Sequence, residues 1–279
     1  MGKQSRGLLF TVVVVSLNPG EKLRKTIESV FRQDYREFEV ILKDGGSEDG
    51  SVEAVLADYE GEPRLRVCRG ADGGIYEAMN QALDWAEGDY VIFLNCGDSF
   101  YEEHVLSKVA AAVSRQVLAG QGALTVYYGD TYSERLAAVL YAPPSVTGFV
   151  CYRNIPCHQS CFYDTRLFHN RRYLTRYRVR ADYEHFLWCF YRRRARMEKL
   201  DLVVASYEGG GYSEGRESRK RDAGEYRRIT REYMGKGERL KYQVIMALTL
   251  APLRSRIGES PVLSRIYQRA KRAFYRPGI

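Results

Sequence analysis

No stretch of the 279-residue chain approaches the roughly 20 apolar residues needed to cross a bilayer. The longest late candidate, VIMALTLAPL at 244–253, is half that length. There is no CxxC pair among the six cysteines (Cys68, Cys96, Cys151, Cys157, Cys161 and Cys189), and only Cys157 and Cys161, four apart around His158, invite a zinc reading. Reduced thiols in a cytosolic protein are the plainer account. GxxxxGK followed by Ser or Thr does not occur, which excludes an NTPase phosphate loop, and no GxGxxG follows the first apolar run, which disfavours a dinucleotide fold. Repeats and low-complexity tracts are absent. The opening MGKQSRGLLFTVVVVSLN has no small-residue cleavage site and a β-branched apolar run, so it reads as the lead-in to a strand and not as a signal peptide.

What is present is an ordinary globular composition, 45% hydrophobic and 28% charged, with an uneven charge. The net +8 is concentrated at one end: residues 214–279 carry 17 Lys/Arg against 7 Asp/Glu, and the first 213 residues carry 26 against 28. A near-neutral body over 1–213 is therefore expected to precede a basic extension over 214–279.

Within the body, two periods alternate. LLFTVVVVS (8–16) reads as a strand buried on both faces, and EFEVILKD (37–44), RLRVCRG (64–70) and DYVIFLN (89–95) read as further strands. Between them lie three helical patterns. The first opens at Asn18-Pro19 as cap and first residue; the second covers 51–60; the third runs from Gly74 to Gly88. This alternation predicts an α/β fold, a mostly parallel central sheet flanked by helices, with a nucleotide-binding half over 1–98 and an acceptor half over 99–213. Beyond 120, ALTVYYGDTY and LAAVLYA predict a strand pair, 143–180 a long polar and aromatic connection, 181–195 a helix, and KLDLVVASY a strand.

Ligands of such sheets bind outside the carboxyl ends of the strands. The four exits carry Asn18, Asp44, Asp72, and Asn95 with Asp98. Several carboxylates in one site repel an anion unless a cation is present. Mn2+ or Mg2+ on a nucleoside diphosphate resolves that conflict, because such an ion needs only one or two protein carboxylates. Asp98, in the tight NCGD turn, is the candidate metal ligand, although it also fits as a cap for the following helix. In DGGSEDGS (44–51), glycines let backbone approach a flat base and ribose, with Asp44 accepting from a base N–H or a sugar hydroxyl; a plain turn explains the same residues.

TVVVVSLN, KDGGSEDGS and ADGGIYEAMNQAL..AEGDYVIFLNCGD, in this order and spacing, resemble the nucleotide-binding half of family-2 glycosyltransferases with the GT-A fold, a Rossmann-like sheet, and most of all bacterial enzymes that build exopolysaccharide or O-antigen repeat units. The resemblance covers about residues 8–213. It implies an inverting transfer from a nucleotide-sugar donor, by family habit a UDP-sugar, to a saccharide acceptor, lipid-linked by family habit. It gives Asn18, Asp44, Asp72, Gly74, Asn80, Asn95 and Asp98 to the sugar-donor side, with the metal on Asp98. The segment usually has a further carboxylate where Asn95 or Gly97 stands here, and Met79 occupies a position where many relatives carry arginine. RADYEHFLW resembles the family's acceptor-side helix start, so Asp182 is the expected general base. Ala181 replaces the usual first carboxylate and Glu184 is the substitute candidate; Asp182 also fits a helix first turn that merely favours a carboxylate. The pair His158-Gln159 is expected near the diphosphate or the acceptor sugar, and Ser213, in YEGGGYSEG, in a loop closing over the donor.

In VLSRIYQRAKRAFYR (262–276), Leu263, Ile266, Tyr267, Ala270 and Phe274 share one helical face, and Arg265, Arg269, Arg272 and Arg276 the other. Such a helix suits an anionic membrane surface, which would put the enzyme at the cytoplasmic face of the cell membrane. Packing on the catalytic body is the alternative. Three acidic strand ends argue against nucleic acid as the partner of the body. A nucleotide-sugar-binding scaffold without turnover is the competing class.

Overall fold

The computed structural model describes residues 7–118, 122–209, 216–249 and residue 268. Four parallel strands build one half of a single sheet: β1 (Phe10–Ser16), β2 (Phe38–Asp44), β3 (Leu65–Arg69) and β4 (Tyr90–Phe93), in the order β3-β2-β1-β4. Along β1, Phe10, Val12 and Val14 enter one core while Val13 and Val15 enter the other. That is why the sequence shows an unbroken apolar run there and no alternation. Helices α1 (Glu21–Phe31) and α2 (Ser51–Asp58) cover the first core through Leu23, Ile27, Val30, Val52 and Val55. Helix α3 (Ile75–Ala82) covers the second through Tyr76, Ala78, Met79 and Ala82. The third helical pattern is shorter than expected: α3 ends at Ala82 and a 3-10 turn, Leu83–Trp85, follows. Gly88 packs against the β1 backbone so closely that a Cβ would collide with Thr11.

The second half of the sheet is mixed. The short β5 (Ser99–Phe100) lies between Asp98 and α4 (Val105–Leu118), so Asp98 is not the cap of that helix. The expected strand pair is present as β6 (Thr125–Ser133) and β7 (Ala138–Leu140), antiparallel. The connection 143–180 is more structured than its composition suggested: it holds α5 (Gly148–Arg153), a 3-10 turn at His158–Ser160, β8 (Cys161–Asp164) and α6 (Arg166–His169). Strand β8 sits at the centre of the sheet, antiparallel to both β4 and β6. Helix α7 (Ala181–Tyr191) leads into β9 (Arg196–Tyr207), parallel to β6 and antiparallel to β5.

The basic extension begins as α8 (Arg216–Tyr233) and α9 (Lys236–Leu248). Both are fastened to the body: Ile229, Tyr233, Met234 and Tyr242 belong to the same core as α3 and α7. Arg180 makes a two-pronged pair with Asp222, at 2.6 and 2.9 Å. The Glu225 carboxylate accepts the backbone N–H groups of Arg178, Val179 and Arg180, at 2.8 to 3.0 Å. The expected amphipathic helix 262–276 lies outside the described residues, apart from Gln268.

Candidate active site at the ends of the parallel strands

Register places Ser16, Asp44 and Arg69 side by side at the ends of β1, β2 and β3, so the loops after these strands share one edge of the sheet. Asn18 does not open α1; its φ is +46° and the helix starts at Glu21. Its Oδ1 accepts from Glu48 N (2.9 Å) and its N–H donates to Ser47 Oγ (2.8 Å), which ties the β1 exit to the β2 exit. Asp44 is 1% exposed, and both carboxylate oxygens accept from Ser47, through its N–H and its hydroxyl. Asp44 thus forms the turn that shapes the site.

Lys43, invisible as a site residue in the sequence, is fully buried. Its ammonium donates to the carbonyls of Asp44 and Gly70 and lies 3.3 Å from Asp72 Oδ2. Asp72 Oδ1 accepts from Gly74 N (3.0 Å), where Gly74 has φ +128°, and this sets up the first turn of α3. One lysine therefore fastens the β2 and β3 exits together and neutralises a carboxylate. The Asn80 amide pairs with the backbone of Tyr173, donating to its carbonyl and accepting its N–H, at 2.8 and 2.9 Å. It clips α3 to the 171–180 segment.

At the β4 exit, Gly97 takes φ +99°, and a Cβ there would collide with the Glu208 carboxylate. Thr26 of α1 braces the turn, accepting Gly97 N–H (2.9 Å) and donating to the Asp98 carbonyl (2.7 Å). Asp98 is 4% exposed; Oδ1 accepts from Glu208 N and Oδ2 from Gln159 Nε2, both at 3.0 Å. Burial, with a smaller push from the Glu208 charge, raises its carboxyl to about 6 against the hydrogen bonds that favour the anion. Glu208 itself pairs with Lys22 at 2.9 Å. Asn95 Nδ2 meets His158 Nε2 at 3.3 Å; burial holds the His158 ring below its usual range, so it is neutral. Asn95 Oδ1 and His158 Nδ1 are buried and have no partner among the described residues.

Asp182 stands in the first turn of α7, partly exposed, with Oδ1 2.7 Å from the Tyr76 hydroxyl of α3. The 3-10 turn His158–Ser160 meets the NCGD turn through Asn95 to His158 and Gln159 to Asp98, and the Asp182 charge favours the protonated His158 ring against its burial. The Glu184 side chain is 0% exposed, paired with Arg171 and accepting from Tyr233 of α8, and burial raises its carboxyl. With no path to an incoming hydroxyl, Glu184 is a core fastener and not a substitute base. Ser213 lies outside the described residues. Sequence reasoning missed Lys43, Tyr76 and Glu208; only the adjacency of Lys43 to Asp44 offered any signal.

Residues 11–199 match the family described as Glycosyl transferase family 2. The chain belongs to that family. This glycosyltransferase is 34% identical over 209 residues to the PGL/p-HBAD biosynthesis glycosyltransferase of Mycobacterium bovis, covering 74% of this chain and 79% of the relative, and equally to that of Mycobacterium tuberculosis. Its fold is similar to that of S. aureus TarS 1-349 in complex with UDP (TM-score 0.61, 20% identity), over 72% of this chain and 61% of that one. It is also similar to the mannosyltransferase PcManGT from Pyrobaculum calidifontis in complex with GDP-Man and Mn2+ (TM-score 0.58, 17% identity), over 98% of this chain and 82% of that one. These structural likenesses establish the GT-A fold.

A divalent ion fits the residues of this glycosyltransferase only as a guest shared with phosphate. Among the described residues no group of three His, Cys, Asp or Glu is arranged to hold a metal. Each Asp98 oxygen accepts one hydrogen bond among the described residues and keeps a second lone pair, and the buried Asn95 Oδ1 has no partner among them. Two oxygens of this kind suit Mg2+ or Mn2+, which take their remaining ligands from phosphate and water. Lys43 on Asp72 and Lys22 on Glu208 already offset part of the negative charge that the sequence left uncompensated.

Proposed function

We propose that this glycosyltransferase moves a sugar, with inversion, from a nucleoside-diphosphate donor to a saccharide hydroxyl, with Asp182 as general base. The observation carrying this reading is the placement of a partly exposed carboxylate, Asp182, against the helix that grows out of the Asp72–Gly74 turn. One hydrogen bond thereby links the proposed base to the helix that follows the sugar-donor loop. Nucleotide diphosphates in structures of similar fold, UDP in TarS and GDP-Man in PcManGT, support the donor class.

The β1, β2 and β3 exits cradle the nucleoside, and the β4 exit meets the diphosphate. Asp182 accepts the acceptor hydroxyl proton as that oxygen bonds to the anomeric carbon from the face opposite the diphosphate. The bond from the anomeric carbon to the diphosphate breaks, and its electron pair leaves with the phosphate oxygen. Asp98 and Asn95 would hold a bound Mn2+ or Mg2+, whose chemistry is to offset the charge of the departing diphosphate. Neutral His158, facing Asn95, is placed as a hydrogen-bonding group beside it.

The acceptor is inferred to be lipid-linked and the enzyme to sit peripherally on the cytoplasmic face of the membrane. No helix among the described residues is long and apolar enough to cross a membrane. Support comes from the basic 214–279 segment and from α9, which turns Leu240, Val244 and Leu248 to solvent with Lys236 and Lys241 exposed on the same helix. The test is Asp182→Asn, assayed for transfer of labelled sugar from nucleotide donors into lipid extracted from membranes of the producing cell. Transfer falls by at least about 1000-fold, at the upper part of what a general base contributes, while nucleotide affinity is unchanged. Transfer at the parent rate removes Asp182 from the role.

A further inference from the structure

The Tyr76 hydroxyl is buried between two elements that the reaction must bring together. It lies 2.7 Å from Asp182 Oδ1 and 2.8 Å from the carbonyl of Val179, so its one proton is shared between a carboxylate and the backbone just ahead of α7. Tyr76 is the second residue of α3, directly after the Asp72–Gly74 turn. The segment it touches is fixed from the other side by Glu225 on the N–H groups of residues 178–180, and by Arg178 donating to the Gly73 carbonyl. Burial pushes the phenol well above its ordinary value, so it stays a proton donor throughout the working pH range. A carboxylate in a first helical turn can swing among rotamers; one held by a buried phenol cannot.

We propose that Tyr76 is a positioning residue for the transfer, orienting the Asp182 carboxylate and coupling its placement to the sugar-donor turn. The proposal rests on Asp182 being the base. Besides Tyr76, the titratable groups whose electrostatics include Asp182 are Tyr173, His158, Cys157, Cys161, Tyr163 and Arg180. Among the described residues, the Tyr76 hydroxyl is the group seen hydrogen-bonded to the carboxylate, so its removal takes away the contact that fixes the direction of Oδ1.

The test compares Tyr76→Phe with Tyr183→Phe in the full chain. Tyr183 is a control of matched type: a buried tyrosine on α7 whose hydroxyl donates to the Cys151 carbonyl at 2.7 Å. Tyr76→Phe is expected to lower kcat about 10- to 100-fold, the scale of one hydrogen bond to a charged group. KM for the nucleotide sugar stays within about twofold of the parent, and the acid limb of the kcat/KM profile moves to higher pH, because the anion has lost its proton donor. Tyr183→Phe leaves the profile in place. A Tyr76→Phe enzyme with an unmoved acid limb, or a Tyr183→Phe enzyme with the same loss, overturns the proposal and makes Tyr76 structural. Asp182→Asn, run alongside, separates the two failures: an inactive Asp182→Asn with an unaffected Tyr76→Phe sinks Tyr76 alone, whereas an active Asp182→Asn sinks the base and the positioning role together.

Discussion

Asp98 concentrates the residue-scale physics of this site. Its turn requires a glycine at 97, its oxygens are occupied by neutral donors from Glu208 and Gln159, and burial raises its carboxyl to about 6. An unfolded aspartate titrates near 4. Between about pH 4 and pH 6 the folded protein therefore binds a proton that the unfolded chain has released, so this group's contribution is present at low pH and is lost as pH rises through 6. In metal-free protein the loss is on the order of 2 kcal/mol. Asp98→Asn removes that slope: denaturant melts of parent and variant from pH 4 to 7.5 in chelator diverge over this window. Parallel curves would contradict the burial argument. The sequence offered Asp98 as a candidate through the tight turn after a buried strand, with a helix cap as the competing use that β5 removes. Its partner Glu208 was not legible, standing 110 residues further along the chain.

At the scale of elements, the strands and helices of the first hundred residues could be read because apolar runs mark the strands and apolar residues three to four apart mark the helices. Strand β8 could not: four residues, CFYD, buried throughout, carry neither alternation nor length, and only the sheet around them makes them a strand. The same holds for the connection between α8 and the site. The sequence shows a charged, helical segment after 213 and suggests an appendage, yet Glu225 of α8 caps the backbone that enters α7, and Tyr233 reaches Glu184. Glu225→Ala should therefore act at a distance. Three N–H groups lose a charged acceptor, costing on the order of 2–3 kcal/mol and lowering Tm by several degrees. Hydrogen exchange at amides 178–180 should rise with it, ahead of the rest of α7. Unchanged protection there would mean that the turn is held by other contacts.

In the molecule as a whole, an all-parallel half-sheet whose strand ends share one edge joins a mixed half that carries α7 and Asp182, with the Tyr76–Asp182 hydrogen bond between them. The central claim is that a nucleoside diphosphate binds at this edge with a divalent ion on Asp98. It is tested most directly by thermal stability of the full chain with UDP, GDP, dTDP and CMP, each with and without Mn2+, in the parent and in Asp98→Asn. A ligand at about 100 times its Kd adds roughly 2.7 kcal/mol, and each kcal/mol moves Tm by about 2–4 °C in a chain of this size. The account predicts a shift with one diphosphate that grows with Mn2+ and loses that growth in Asp98→Asn. No shift with any nucleotide, or a Mn2+ effect undiminished in the variant, would contradict it.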